Sequence, residues 1–248
     1  MKILAMTYSI MSYFIGVATL VYLILFIGDL FVPWTINTAA PFAPDFAGLP
    51  AIVWNGVLIG IWGAQHSIFA SPVFKTVWTR IVPAAIERST YLIFVALMTA
   101  IMVALWVPLP STLWDFSGTL LGSILMVGFF AGWVIVLLAT FLINHFHLFG
   151  LSQAFQLLTQ TPSKKESFVT PLLYKVVRHP MMTGVLIALW CAPTLTVGRL
   201  VFNIAMTAYI LLGTSHEEKT LVADLGDEYT EYQKTTPMLI PGMPKKSP

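Results

Sequence analysis

The chain is short of charge. Only 10% of its 248 residues are Asp, Glu, Lys or Arg, where a soluble globular domain carries about 25%. A surface facing water on all sides cannot be built from so little, which argues against a soluble enzyme, a nucleic-acid binder and a disordered regulator. Cysteine is nearly absent as well. Cys191 stands alone, so there is no internal disulfide and no cysteine-built structural zinc site, and the residue reads as a small apolar filler. Internal repeats, heptad runs and low-complexity tracts are missing too. With 57% of its residues hydrophobic, the chain reads as an all-α integral membrane protein.

A helix needs about 20 apolar residues to cross a hydrocarbon core, and six charge-free runs approach that length: residues 3–28, 51–70, a run from after Arg88 to 107, then 118–143, 181–197 and 200–212. The first exceeds the apolar core of a signal peptide, about 7–15 residues, and is expected to be retained. The last two are short, with a turn expected around Gly198 and Arg199. Six transmembrane helices, or five plus a re-entrant-like hairpin, are therefore both open. Residues 1–248 read as one membrane domain, in which 1–143 form an N-terminal bundle of four spans.

Charge placement orients these spans. Six crossings put Lys2, Lys75, Arg80, Arg88, Lys164, Lys165, Lys175, Arg178, Lys219, Lys234, Lys245 and Lys246 on one side, and leave Arg199 with Asp29, Asp45 and Asp115 on the other. The excess of Lys and Arg marks the cytoplasmic side and places both termini there. The expected location is a bacterial inner membrane, with the lipid bilayer as partner and no nucleic acid.

The same side collects the polar chemistry. In Tyr174-Lys-Val-Val-Arg178-His179-Pro180-Met-Met182-Thr-Gly184 a loop enters a helix, Pro180 suits the first helical turn, and the free N–H groups there favour an anion to which Arg178 adds a fork of donors. Anchoring of Arg178 and His179 among lipid headgroups is the competing reading. Next comes His216-Glu217-Glu218-Lys219-Thr-Leu221. Adjacent glutamates point to different helix faces and do not suit a paired acid and base. Glu217 is placed to accept hydrogen bonds from a ribose or an amino group. The alternative is a solvated helix whose Leu221, Val222, Leu225, Tyr229 and Tyr232 lie in the membrane interface. Thr220 breaks the zinc-protease pattern His-Glu-x-x-His, and His145 and His147, two apart, fall on opposite sides of a helix, so no metal site is expected. Gln65-His66-Ser67 and Glu87-Arg88-Ser89 bring polar groups close to hydrocarbon, where they are costly unless paired. They are either functional residues or a helix-end network.

The order of these motifs is informative. Arg178-His179-Pro180-x-x-x-Gly184, a hydrophobic hairpin, Glu217-Glu218-x-x-Leu221, Gly226-Asp-Glu-Tyr229-x-x-Tyr232 and Pro237 resemble the C-terminal half of the isoprenylcysteine carboxyl and phospholipid methyltransferase superfamily. These are integral membrane enzymes that use S-adenosylmethionine. Gln65-His66-Ser67, Trp78-Thr-Arg80-Ile-Val-Pro83, Ile86-Glu87-Arg88-Ser89-Thr90-Tyr91 and Asn144-His145-Phe146 with Leu148-Phe149-Gly150-Leu151 are similar to the methanethiol S-methyltransferases, which make dimethyl sulfide. NnrU-like membrane proteins share the Gln-His-Ser type of segment and are close relatives.

The resemblance implies a cytoplasmic cofactor-binding core over 144–248 with a cofactor loop and a C-terminal helix. In that core Ser167, Phe168, Val169, Tyr174, Arg178, His179, Pro180, Met182 and Glu217 would hold S-adenosylmethionine. Position 182 is usually aromatic in the prenylcysteine enzymes. Those enzymes also carry an arginine, for their substrate, where this chain has Gly213, a departure that suits a small uncharged thiol. A thiol reacts as thiolate, and burial disfavours that form. His145 or His66 would take the proton, and Arg88 would stabilise the developing negative charge. A methyltransferase acting on a lipid or a larger thiol, and a non-catalytic membrane protein, are the alternatives.

Overall fold

The computed structural model describes residues 2–161 and 168–243. Helix α1 (Lys2–Gly28) is followed by α2 (Gly48–Ala70), α3 (Pro72–Trp78) and α4 (Ala84–Ala104). A short strand β1 (Thr112–Asp115) precedes α5 (Leu120–Ile143), and two short helices follow, α6 (His145–Leu148) and α7 (Leu151–Thr159). The last third holds a 3-10 turn (Leu172–Lys175), α8 (Pro180–Trp190), strand β2 (Thr194–Thr196) paired with β1, α9 (Val197–Leu225) and α10 (Asp227–Thr235).

The fold is thus mostly helical and built for a membrane. Among the described residues α1, α4, α5 and α9 are each long and apolar enough to cross, and α2 with α3, bent by 70°, makes a fifth if the pair counts as one span. Ser71 makes that bend: its backbone is extended and its hydroxyl accepts from Phe74 N at 3.2 Å, capping α3, with Pro72 in the first turn.

The fifth apolar run, 181–197, differs from the sequence expectation. Helix α8 stops at Trp190 after 11 residues, because Pro193 has no N–H to donate and its ring opposes a helix. Gly198 and Arg199, expected in a turn, lie in the first turn of α9. At the other boundary α4 begins at Ala84, so Glu87 and Arg88 lie inside the helix.

The chain divides into two compact units, neither continuous in sequence. The first comprises Met1–Thr112, Asn144–Glu166 and Thr196–Phe202. Here α4 packs between α1 and α2, and α7 closes on α1 and α4. Asn55, fully buried, donates to Val107 O (2.7 Å) and accepts from Val107 N (3.0 Å), so one amide satisfies the backbone just past α4, where Pro108 rules out continued helix. Phe26, Trp106 and Phe202 form an edge-to-face aromatic core. Gly150 (φ +87°) starts α7 so close to α4 that a Cβ would lie 2.7 Å from the Ser89 hydroxyl.

The second unit comprises Leu113–Ile143, Ser167–Leu195 and Asn203–Pro248. Its centre is the antiparallel pair α5 and α8, the most extensively packed pair in the chain. Small residues let the backbones approach: a Cβ on Gly132 would stand 2.5 Å from Gly184 O and 2.7 Å from Ala188 N, and one on Gly128 would stand 2.7 Å from Cys191 Sγ. Gly128-Phe-Phe-Ala-Gly132 is thus a small-xxx-small stripe that meets Gly184 and Ala188. Beyond the glycines the pairing continues, from Phe116 N on Pro193 O (3.0 Å) at one end to Tyr174 Oη on Ala139 O (3.4 Å) at the other.

Candidate functional site

In the second unit the polar residues converge on Glu218. Helix α9 buries Asn203, Met206, Ile210, Thr214 and Glu218 in one stripe at three- to four-residue spacing, so the glutamate enters the interior by continuing an apolar face. Only 5% of it is exposed. Its carboxylate is fully occupied. Arg178 donates from Nε to Oε1 (2.6 Å) and from Nη2 to Oε2 (2.7 Å), the bidentate fork that matches carboxylate geometry. His179 Nε2 lies 3.0 Å from Oε1, Tyr229 donates its hydroxyl to Oε1 at 2.9 Å, and Gln233 donates its amide to Oε2 at 2.7 Å.

Around this carboxylate the chain is tied in three places. Arg178 Nη1 donates to the carbonyls of Gln233 (3.2 Å) and Thr236. The backbone N–H groups of Arg178 and His179 donate to Pro237 O (2.9 Å) and Met238 O (3.1 Å), and Thr183 donates its hydroxyl to Leu239 O at 2.6 Å. The segment after α10 therefore runs as a strap along the start of α8. Tyr232 donates to Tyr174 O, and Phe168, Tyr229 and Tyr232 pack edge to face, with centroids 5.4–5.8 Å apart. Burial raises the phenol pKa of Tyr174 and of Tyr229, and pushes that of Tyr232 up to about 12.

Several expected cofactor residues gather here. Arg178 and His179 are buried and meet on Glu218. Glu217, with 55% of its side chain exposed, stands on the other side of the same imidazole, its Oε2 3.6 Å from His179 Nδ1. Pro180 opens α8, and His179 makes no side-chain cap there because its ring is turned to the glutamates. Met182 lies in the first turn and is half-buried. Tyr174 is buried against α5, Phe168 belongs to the aromatic cluster, and Val169 is exposed. Ser167 lies outside the described residues.

Two readings change. Arg178 commits its donors to Glu218 and the strap, so it is neither a headgroup anchor nor a fork open to an anion. Tyr229, only 2% exposed and bonded to Glu218, is an interior residue rather than part of an interfacial stripe. The sequence motifs give Glu218 and Gln233 no site role of their own, although the spacing from Met206 through Ile210 and Thr214 marks position 218 as inward-facing.

The other three candidates lie in the first unit. His66, stacked on Trp62, has both ring nitrogens within 3.2 Å of the Tyr91 hydroxyl. Arg88 lies over the Tyr91 ring, 4.8 Å from its centroid, and donates from Nε to Leu148 O at 2.8 Å. His145 starts α6, which Asn144 caps by accepting from His147 N at 3.2 Å. Its Nε2 is 3.0 Å from the Tyr13 hydroxyl, only 5% of it is exposed, and burial lowers its pKa. Tyr13 and Tyr91 as histidine partners carry no sequence signal of their own. Among the described residues the Gln65 side-chain amide and Glu87 Oε1 are buried without a hydrogen-bond partner, which is costly in an apolar setting.

The chain is similar in sequence to known proteins along nearly its whole length. The chain is 42% identical to the methanethiol S-methyltransferase of Pseudomonas deceptionensis over 98% of its own length and 91% of that protein's. It is 41% identical to methanethiol S-methyltransferase 1 of Bradyrhizobium diazoefficiens, over 97% of this chain and 83% of the relative. With the Mycobacterium tuberculosis methanethiol S-methyltransferase it shares 39% identity over 97% of both chains. A more distant likeness, 27% over 69% of this chain, links it to human nurim. No family model matches the chain, and no solved structure does.

Proposed function

The chain belongs to the methanethiol S-methyltransferase family, and on that premise we propose that it transfers a methyl group from S-adenosylmethionine to methanethiol, giving dimethyl sulfide. The observation that carries this reading is relatedness near 40% identity along almost the whole chain. The residues of the second unit fit such a donor. Glu217 is an exposed carboxylate able to accept from hydroxyl or ammonium groups, the N-terminus of α8 lacks a side-chain cap and suits a carboxylate, and Phe168 with Tyr232 offers aromatic surface. Val169, Tyr174, His179, Pro180 and Met182 belong to the same proposed site, with Arg178 holding it together.

When bound, S-adenosylmethionine supplies a methyl group already activated on a cationic sulfur. The protein's part is to align the acceptor, exclude water and take up the thiol proton. His145 and His66 are the proposed bases. The lowered pKa of His145 keeps its ring neutral near pH 7 and able to accept a proton. Arg88 provides positive charge beside Tyr91 for the thiolate.

The bilayer suits a small apolar thiol, which reaches a site among helices by partitioning. We propose six crossings in a bacterial inner membrane, with both termini and the donor site cytoplasmic. Helix α8 covers only about 16 Å at about 1.5 Å per residue, and on this proposal the non-helical residues 191–196, which end in β2, complete the crossing. That non-helical part is buried at Ala192, Leu195 and Thr196, as non-helical backbone at membrane depth must be. Helix α9 has 29 residues, so the roughly 20 needed to cross end near His216 and deliver Glu217 and Glu218 to the membrane boundary.

The test is to incubate the purified protein with S-adenosylmethionine and methanethiol and to assay the headspace. Dimethyl sulfide formed in step with S-adenosylhomocysteine supports the reading. Donor binding without that product, but with turnover of another acceptor, transfers the activity to a lipid or a larger thiol.

A further inference from the structure

We propose that Glu218 is a positioning residue of the methyl-donor site: it stays out of contact with the donor and, through His179, fixes where the carboxylate of Glu217 stands. This rests on the donor-binding reading given above. Glu217 and Glu218 are neighbours on α9, yet they sit in opposite environments. Glu218 is buried and receives hydrogen bonds from Arg178, His179, Tyr229 and Gln233, whereas Glu217 is more than half exposed. The His179 imidazole stands between them, Nε2 at 3.0 Å from Glu218 and Nδ1 at 3.6 Å from Glu217.

An ionised carboxylate only accepts hydrogen bonds, so the Glu218 contact requires an N–H on Nε2. That orientation turns Nδ1 toward Glu217 at 3.6 Å, where the ring attracts the second carboxylate through an N–H on Nδ1 as well, that is, as the imidazolium between two carboxylates. The arrangement is the organic counterpart of an outer carboxylate that orients a ligand-bearing histidine. The backbone contributes as well. Arg178 and His179 receive the strap at Pro237 and Met238, so the same carboxylate that orients the ring also holds the start of α8 in register with the tail. Glu218 thus joins three segments, the entry to α8, α9 and α10, at the point where Glu217 emerges.

A residue that only stabilised the fold would lower the melting temperature and leave the affinity of the folded protein for its donor unchanged. A positioning residue changes both. Detergent-solubilised protein is titrated with S-adenosylhomocysteine by calorimetry, well below the melting temperature of each variant, alongside thermal unfolding. Glu217→Gln is expected to weaken binding tenfold or more with little change in melting temperature. Glu218→Gln is expected to weaken binding to a similar extent and to melt earlier. The double variant binds no more weakly than the weaker of the two single variants, because both changes act on one contact. Asn55→Leu, in the first unit, removes the buried amide that satisfies Val107, and is expected to melt earlier while keeping wild-type affinity. The inference is overturned if Glu218→Gln binds like the wild type, if the two glutamate changes multiply in the double variant, or if Asn55→Leu loses as much affinity as Glu218→Gln. Wild-type protein that binds no S-adenosylhomocysteine overturns both this inference and the donor-binding reading.

Discussion

Replacing Gly132 by alanine adds one methyl group where two helix backbones touch. The new Cβ would stand 2.5 Å from Gly184 O and 2.7 Å from Ala188 N, about 1 Å inside the ordinary contact distance of about 3.5 Å. Both obstacles are backbone atoms, which no rotamer change moves, so α5 and α8 must part. A gap of 0.5–1 Å forfeits a quarter to a half of each contact's dispersion energy, and each atom pair holds about 0.1–0.2 kcal/mol. Over a few tens of pairs the loss is about 1–3 kcal/mol, the usual cost of overpacking. The same change on α2 is expected to have the opposite sign. A Cβ on Gly60 meets nothing within 4 Å, so Gly60→Ala only restricts the unfolded chain and is expected to stabilise by up to about 1 kcal/mol. The assay is reversible unfolding in mixed micelles, followed by tryptophan fluorescence. If Gly132→Ala were as stable as the wild type, or if both variants shifted in the same direction, close backbone approach would not be what holds α5 to α8.

Three further outcomes are expected. Arg178→Met removes the bidentate partner of a carboxylate that is 5% exposed, and thermal or denaturant unfolding should register a loss of about 3–5 kcal/mol, mostly the cost of a buried charge left underpaired; no loss would mean that Glu218 is hydrated. Tyr232 holds a phenol pKa pushed up to about 12 by burial, so the folded state resists ionisation that the unfolded chain undergoes near pH 10; its contribution to stability is full below pH 10 and is lost as the pH rises toward 12, a leg that spectrophotometric titration should reveal and that Tyr232→Phe should remove. Alanine at both His66 and His145 should lower kcat by about a hundredfold or more with S-adenosylhomocysteine affinity unchanged, and intact turnover would assign proton removal to another group.

The membrane character and some helix ends are legible because hydropathy over 20 residues and the placement of proline need only local information. The expected runs 3–28 and 118–143 fall on α1 and α5 to within two residues. The apolar run 181–197 extends past the end of α8 because hydropathy does not register Pro193, although proline ends a helix whatever its neighbours. At the site, position 217 drew attention as the first of two acidic residues. Which of the two turns inward depends on the phase of α9, set by Met206, Ile210 and Thr214, and that phase was there to be read. The partners of Glu218 were not, since Tyr229, Gln233 and Arg178 come together only when α10 folds back on the start of α8.

That fold-back also accounts for placing so costly a group as a buried carboxylate at the end of an apolar helix. A strap of Pro237, Met238 and Leu239 has little side-chain chemistry with which to hold itself, and it reaches the α8 entry through backbone carbonyls. Those carbonyls need donors in a region where apolar side chains supply none. The backbone N–H groups of Arg178 and His179 and the Thr183 hydroxyl supply them, while the Arg178 guanidinium serves the carbonyls of Gln233 and Thr236 just before the strap. Its charge then requires a carboxylate nearby, which α9 provides from its inward face. The ion pair therefore specifies more than it stabilises. Exchanging Arg178 and Glu218 for well-packed apolar residues would keep a membrane bundle, but the tail would lose its register against α8. His179 would lose the partner that orients it between two glutamates.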